Sequence, residues 1–173
     1  MNKWIKENIL RLTFILASVA LLLLIPSIID ISFGNISNNA IINLVSYGLL
    51  AASAIVLAFA AKNKSVAQIL IISAALFSAS NIVIYVYNIT SFDSYYSIFY
   101  LVLYALFVIL LVCCKANKNE MVKGLLWIVA ITIFVIEALA VFNGSLSGAA
   151  RLIVAALIVL NNYLEEEREN TNE

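Results

Sequence analysis

Two charged residues, Glu137 and Arg151, stand inside long apolar stretches of this chain. An ionised side chain in apolar surroundings is costly, so it is kept in a pair or where it meets an ion or a polar ligand. A carboxylate accepts a proton or holds a cation, and a guanidinium holds an anion. Glu137 and Arg151 are therefore the first candidates for chemistry.

Both residues flank the short turn 143–148, which joins two apolar stretches. An antiparallel hairpin about this turn brings their depths within about three residues, about 4 to 5 Å along the axis. The expected arrangement is a structural ion pair between Glu137 and Arg151. Two alternatives stay open: a substrate or ion site that uses Glu137, and an Arg151 that extends to the headgroups and leaves Glu137 protonated or hydrated.

A third apolar stretch carries Ser78, Asn81 and Tyr85, whose spacing of three and four residues puts them on one helical face. Asn81 is expected near the depth of Glu137. The stretch before it adds Asn43, Ser46 and Ser53. These groups either line an outward-facing pocket together with Glu137 and Arg151, or hydrogen-bond between helices and hold them together.

Several enzyme classes are excluded by residues that the sequence lacks. The chain has no histidine, which removes bis-histidine haem, histidine-based zinc sites and Ser-His catalysis. No two acidic residues share a depth in the apolar stretches, and neither a Walker-type glycine loop nor a Rossmann fingerprint is present. We therefore expect no enzymatic activity, no cofactor, no metal and no nucleic-acid partner.

The composition indicates which structure positions these residues. Hydrophobic residues make up 64% of the chain and charged residues 12%, and the mean hydropathy is +1.05. Soluble domains have about 45 to 50% apolar and about 25% charged residues, and a membrane-spanning helix needs about 20 apolar residues. The sequence predicts an all-α integral membrane protein, a single polytopic domain over residues 1–173. Its six predicted spans are 9–29, 41–61, 67–87, 95–114, 124–142 and 149–164, followed by an acidic tail at 165–173.

Lys and Arg are unevenly distributed among the connections between these spans. They are absent from 30–40, 88–94 and 143–148. They precede or open the first span at Lys3, Lys6 and Arg11, and they occur in the other segments at Lys62, Lys64, Lys115, Lys118, Lys123 and Arg168. Because cytoplasmic segments carry the excess of Lys and Arg, both termini are predicted in the cytoplasm, with the chain in the cell (plasma) membrane. The many Ile, Asn, Lys and Ser residues are typical of an AT-rich bacterial gene.

The pattern of basic segment, helix, short turn and returning helix recurs three times and predicts three helical hairpins. Small residues such as Gly48, Ala52, Ala54 and Ala58 form faces that allow close contact with other helices, with a second copy or with another membrane subunit. We expect a non-enzymatic accessory, regulatory or partner-binding subunit in the lipid bilayer. The alternative is a subunit for small-molecule or ion transport or binding, which uses the cluster Glu137, Arg151, Asn81 and Ser78.

Overall fold

The computed structural model describes residues 15, 19, 21–34, 36–60, 66–92, 96–116 and 119–172. Every regular element in these residues is a helix, which confirms the predicted all-α class for this part of the chain. The six helices are α1 (Ile25–Ser32), α2 (Asn38–Ala60), α3 (Val66–Phe92), α4 (Tyr96–Ala116), α5 (Glu120–Phe142) and α6 (Leu146–Asn172).

Four of these helices are long and apolar enough to cross a membrane. The spanning segments are Asn38–Phe59, Ala67–Ser91, Tyr96–Ala116 and Glu120–Phe142. In α6 the apolar part is shorter and runs over Ser147–Tyr163. Predicted spans two to five thus each correspond to a helix of sufficient length, and four such helices are typical of a membrane protein.

About half of the predicted first span, 9–29, lies outside the described residues, and Arg11 is in that half. In the described part of this span the helix is interrupted by a turn at Leu23 and Leu24. There the Leu24 N–H donates to the Leu21 carbonyl at 3.1 Å. Helix α1 then begins with Pro26 in its first turn, a position where the missing N–H of proline costs nothing. The helix is therefore interrupted just before Pro26, inside the predicted first span.

Helix α3 is longer than predicted. Residues 88–92, assigned to a connection because they are polar, continue the helix to Phe92. The Thr90 hydroxyl bonds to the Val86 and Tyr87 carbonyls, both at 3.1 Å, so it shares acceptors of the helix instead of competing with it. Polarity marked the end of the apolar stretch but not the end of the helix.

Two side chains cap the helices that carry the charged candidates. The Asn119 Oδ1 accepts the Met121 N–H at 2.9 Å and starts α5. The Ser145 Oγ accepts the Gly148 N–H at 3.0 Å at the start of α6. Such caps satisfy N–H groups that lack a partner in the helix. Helix α6 continues to Asn172, so most of the predicted acidic tail is helical.

Small polar residues hold α2 and α3 together. The Ser53 Oγ donates to the Ser73 carbonyl at 2.8 Å, and the Ser73 Oγ donates to the Ser53 carbonyl at 3.0 Å. The Ser46 Oγ donates to the Ser80 carbonyl at 2.8 Å. Ser46 and Ser53 therefore join helices to each other, one of the two roles expected from the sequence.

Helix α3 lies at the centre of the bundle and packs against α2, α4 and α6. Its Phe77 is fully buried and makes edge-to-face contacts with Tyr104 and Phe107 of α4, with ring centroids 5.8 and 6.4 Å apart. The Tyr85 ring stacks on Tyr100 at 4.8 Å. Since α3 and α4 are antiparallel, this pairing puts Asn81 about level with Tyr104.

Gly148 sets the register between α5 and α6. A Cβ added at Gly148 would lie 2.9 Å from the Ala140 Cβ and 3.3 Å from the Ala140 backbone carbon. The two backbones thus touch at Ala140 and Gly148, as at small-residue contacts in membranes. Three residues further into the bundle, Glu137 and Arg151 lie at about the same depth.

We predict that Gly148→Ala destabilises the protein by about 1 to 3 kcal/mol, because the added methyl meets backbone that cannot move away. Gly124→Ala is the matched control, since a Cβ at this helical glycine has open space around it. Alanine is favoured over glycine within a helix by about 1 kcal/mol, so the control is neutral or stabilising. Thermal unfolding of the detergent-purified variants measures both effects, and equal stability of the two variants contradicts the close contact.

Candidate functional site

Glu137 is 2% exposed and lies on the buried face of α5 with Leu126, Ala130 and Ile133. Its Oε1 accepts a hydrogen bond from the Tyr104 Oη of α4 at 2.5 Å. A carboxyl oxygen accepts this proton whether the group is ionised or not. Glu137, which the sequence marked as a candidate because an acidic side chain is unfavourable in apolar surroundings, is thus buried and hydrogen-bonded to a neighbouring helix.

Tyr104 was missed by the sequence reasoning. It lies on the buried face of α4, which also includes Ser97, Phe107, Leu111 and Cys114. The spacing of these residues by three, four and seven is the signal that places Tyr104 inside, away from the exposed Tyr96. Tyr104 is fully buried, and its ring stacks on Tyr85 with centroids 5.9 Å apart.

The helix registers bring four polar side chains to one depth. Asn81 lies level with Tyr104 through the Tyr85 stack on Tyr100. Tyr104 is bonded to Glu137, and Glu137 lies level with Arg151 through the contact of Gly148 with Ala140. We call Asn81, Tyr104, Glu137 and Arg151 the polar layer. Each comes from a different helix, α3, α4, α5 and α6 respectively.

The expected ion pair between Glu137 and Arg151 is not formed within the described residues, where the one ion pair found joins Lys123 and Glu120. Arg151 is half-buried and interacts electrostatically with Glu137, Tyr85 and Tyr104 without a hydrogen bond to them. The physical reason is that the Glu137 carboxyl group is directed towards α4 by its bond to Tyr104. The equal depth of Glu137 and Arg151 was predicted correctly. Depth alone does not determine the direction in which each side chain leaves its helix axis.

Three residues of the site keep polar atoms that are buried and have no hydrogen-bond partner in the described part of the chain. These atoms are the Nε and Nη2 of Arg151, the Oδ1 of Asn81 and the Oγ of Ser78. Asn81 uses its Nδ2 on the Phe77 carbonyl of its own helix, at 3.0 Å. A buried polar atom without a hydrogen-bond partner costs about 1 to 3 kcal/mol of stability. Four such atoms in one part of the bundle therefore require an explanation.

Of the four predicted site residues, Asn81, Glu137 and Arg151 come to one depth. Ser78 lies three residues along α3 from Asn81, about 4.5 Å further into the bundle. It is 2% exposed. Tyr85 and Arg151 keep partial exposure, whereas Asn81, Tyr104 and Glu137 are buried. A solute would therefore approach the layer past Tyr85 and Arg151.

A separate crevice lies towards the other end of the bundle. Its volume is about 10 Å³, about what one water molecule needs. Asn162 is its one polar lining residue apart from the Trp127 indole; the other lining residues are Phe107, Leu111, Leu126, Ala130, Ile158 and Val159. This crevice is too small for an organic solute and does not include the polar layer.

No family model, no curated protein and no solved structure matches this chain.

We predict that Tyr104 and Glu137 are energetically coupled. In a double-mutant cycle with Tyr104→Phe and Glu137→Leu, we expect a coupling energy of about 0.6 to 1.7 kcal/mol, from the average to the largest value measured for hydrogen bonds between membrane helices. The reason is that each single substitution leaves the other polar group buried without its partner. Equilibrium unfolding in mixed micelles provides the four free energies.

The matched control is the cycle of Glu137→Leu with Arg151→Gln. Because no bond joins these side chains, its coupling energy should be below that of the first cycle. A larger coupling between Glu137 and Arg151 would restore the ion pair and refute the arrangement described here.

Proposed function

We propose that this chain is a non-enzymatic integral membrane protein that binds a small polar solute or ion at the polar layer, as a substrate-binding or transport subunit. The observation that carries this proposal is the pair of buried Arg151 donor atoms that have no partner in the described part of the chain, at the depth of the buried Glu137. A direct pair is the arrangement in which a buried arginine and glutamate best offset the cost of their desolvation. Groups that are held close but apart suit a ligand that lies between them.

The proposed topology has six spans in three hairpins with both termini in the cytoplasm, in the cell membrane of a bacterium. Its first span comes from residues 9–29 and its last from α6. The turn at Asn143 and Gly144 then faces outwards. Arg151 follows the start of α6 by five residues, or about 7 to 8 Å, so the polar layer lies in the outer half of the bundle.

The topology can be tested with single cysteines in a Cys113→Ser/Cys114→Ser background. Asn143 and Ala116 are both exposed and lie at opposite ends of the bundle. We expect a membrane-impermeant maleimide to modify Asn143→Cys on intact cells, and Ala116→Cys only after permeabilisation. Labelling in the reverse order would invert the orientation and place the polar layer nearer the cytoplasm.

The binding function can be tested by the thermal stability of the protein in nanodiscs with a panel of small anions, cations and zwitterions. A ligand at 100 times its Kd stabilises the folded state by about 2.7 kcal/mol, which raises the unfolding temperature measurably. We expect at least one solute of the panel to do so, and the effect to be lost in Arg151→Gln. Lys123→Gln is the control, since Lys123 is a cation at the other end of α5, bonded to Glu120 at 3.0 Å.

A second candidate function is that of an accessory, regulatory or partner-binding subunit. It is favoured by an exposed apolar stripe along α5, which runs over Met121, Leu125, Ile128, Ile131, Val135, Leu139 and Phe142. Lipid or another membrane subunit can cover such a stripe. If no solute of the panel stabilises the protein, solute binding fails and this second candidate is the one to pursue.

A further inference from the structure

The polar layer also indicates the chemical class of the solute. This step rests on the proposed binding function and deepens it. We infer that the solute is a small zwitterion of the amino-acid type, with its carboxylate on Arg151 and its ammonium group between Glu137 and Asn81. Three independent features of the layer support this assignment: the donor atoms, the acceptor atoms and the balance of charge.

The donor atoms fit a carboxylate. The two buried Arg151 atoms without partners are Nε and Nη2, which lie on the same edge of the guanidinium. Their N–H bonds are parallel and match the two oxygens of a carboxylate in a bidentate contact. A single unpartnered nitrogen would not distinguish a carboxylate from other acceptors. The pair on one edge specifies a flat group with two oxygens.

The acceptor atoms fit an ammonium group. A primary ammonium has three N–H donors and no acceptor. In the layer, the Asn81 Oδ1 is a buried acceptor without a partner. The Glu137 carboxyl group accepts one bond from Tyr104, and a carboxylate has about four acceptor positions. Asn81 and Glu137 are level with each other through Tyr104, and the proposed site places one ammonium group between these two acceptors.

The balance of charge selects a zwitterion over a simple ion. A solute that is only an anion would be attracted by Arg151 and repelled by Glu137, and a simple cation would meet the opposite fields. A zwitterion places each charge beside its opposite and brings no net charge into the apolar bundle. The rings of Phe77 and Tyr85 contact the Tyr104 ring of the layer, and none of these three side chains is charged at neutral pH. We therefore expect an uncharged side chain on the solute.

The test compares three small solutes on the wild-type protein in nanodiscs: L-alanine, propionate and ethylamine. Alanine carries both head groups, whereas propionate lacks the amine and ethylamine lacks the carboxylate. We expect alanine to bind at least tenfold more tightly than either of the other two, by calorimetry or by displacement of radiolabelled alanine. This series uses no variant, so it does not depend on whether a substituted protein folds.

Variants then assign each head group. Arg151→Lys keeps the positive charge but loses the bidentate edge, so it should weaken alanine binding at least tenfold and change propionate binding in the same direction. Glu137→Gln should weaken alanine binding at least tenfold and leave or improve propionate binding. Lys123→Gln should change neither. Thermal unfolding without ligand shows whether each variant is folded.

The outcomes separate the inference from the proposed function. If propionate binds as tightly as alanine, or if only a solute of another class binds in an Arg151-dependent way, the zwitterion inference is wrong and the binding function stands. If no solute binds, both are wrong. Binding of alanine that persists unchanged in Arg151→Lys and Glu137→Gln overturns the assignment of the head groups.

Discussion

A polar group in an apolar bundle has few hydrogen-bond partners within reach. The arrangement of α4, α5 and α6 depends on which partner the Glu137 carboxyl group takes. Its carboxyl group is 2% exposed and bonded to Tyr104 on the next helix. The bond joins α4 to α5 and directs the Glu137 carboxyl group towards α4. In the described part of the chain, Arg151 of α6 then lies at the same depth without a direct anionic partner. One hydrogen bond thus links two helices and leaves polar atoms of the third helix available.

Other buried polar side chains on α2 and α3 differ in whether their hydrogen-bonding atoms have partners. Ser46, Ser53 and Ser73 exchange hydrogen bonds with backbone carbonyls of the neighbouring helix and allow α2 and α3 to pack closely. Asn81, with Ser78 on the same helix, retains buried atoms without partners. Since Ser73 of the first group and both residues of the second lie on α3, this helix bonds to α2 on one side and contributes to the candidate site on the other.

Particular residues show which features of the fold and the candidate site could be predicted from the sequence. The depth match of Glu137 and Arg151 followed from the short turn between them, because an antiparallel hairpin relates residues at equal distances from its turn. Tyr104 was not recognised, although its spacing from Phe107 and Leu111 marks the buried face of α4. The longer α3 was also missed, because hydropathy reports the solvent around a helix, whereas a polar Thr90 fits into helical backbone by donating to the Val86 and Tyr87 carbonyls.

The sequence by itself determined the all-helical class, the apolar stretches long enough to cross a membrane and the polar residues that are expensive inside them. These follow from composition and from the rise per residue of a helix, which are properties of the chain alone. Only the tertiary structure decided that Glu137 bonds to Tyr104 and not to Arg151. Spacing along the chain gives depth, but rotation about each helix axis is set by side-chain contacts between helices, such as that of Gly148 with Ala140.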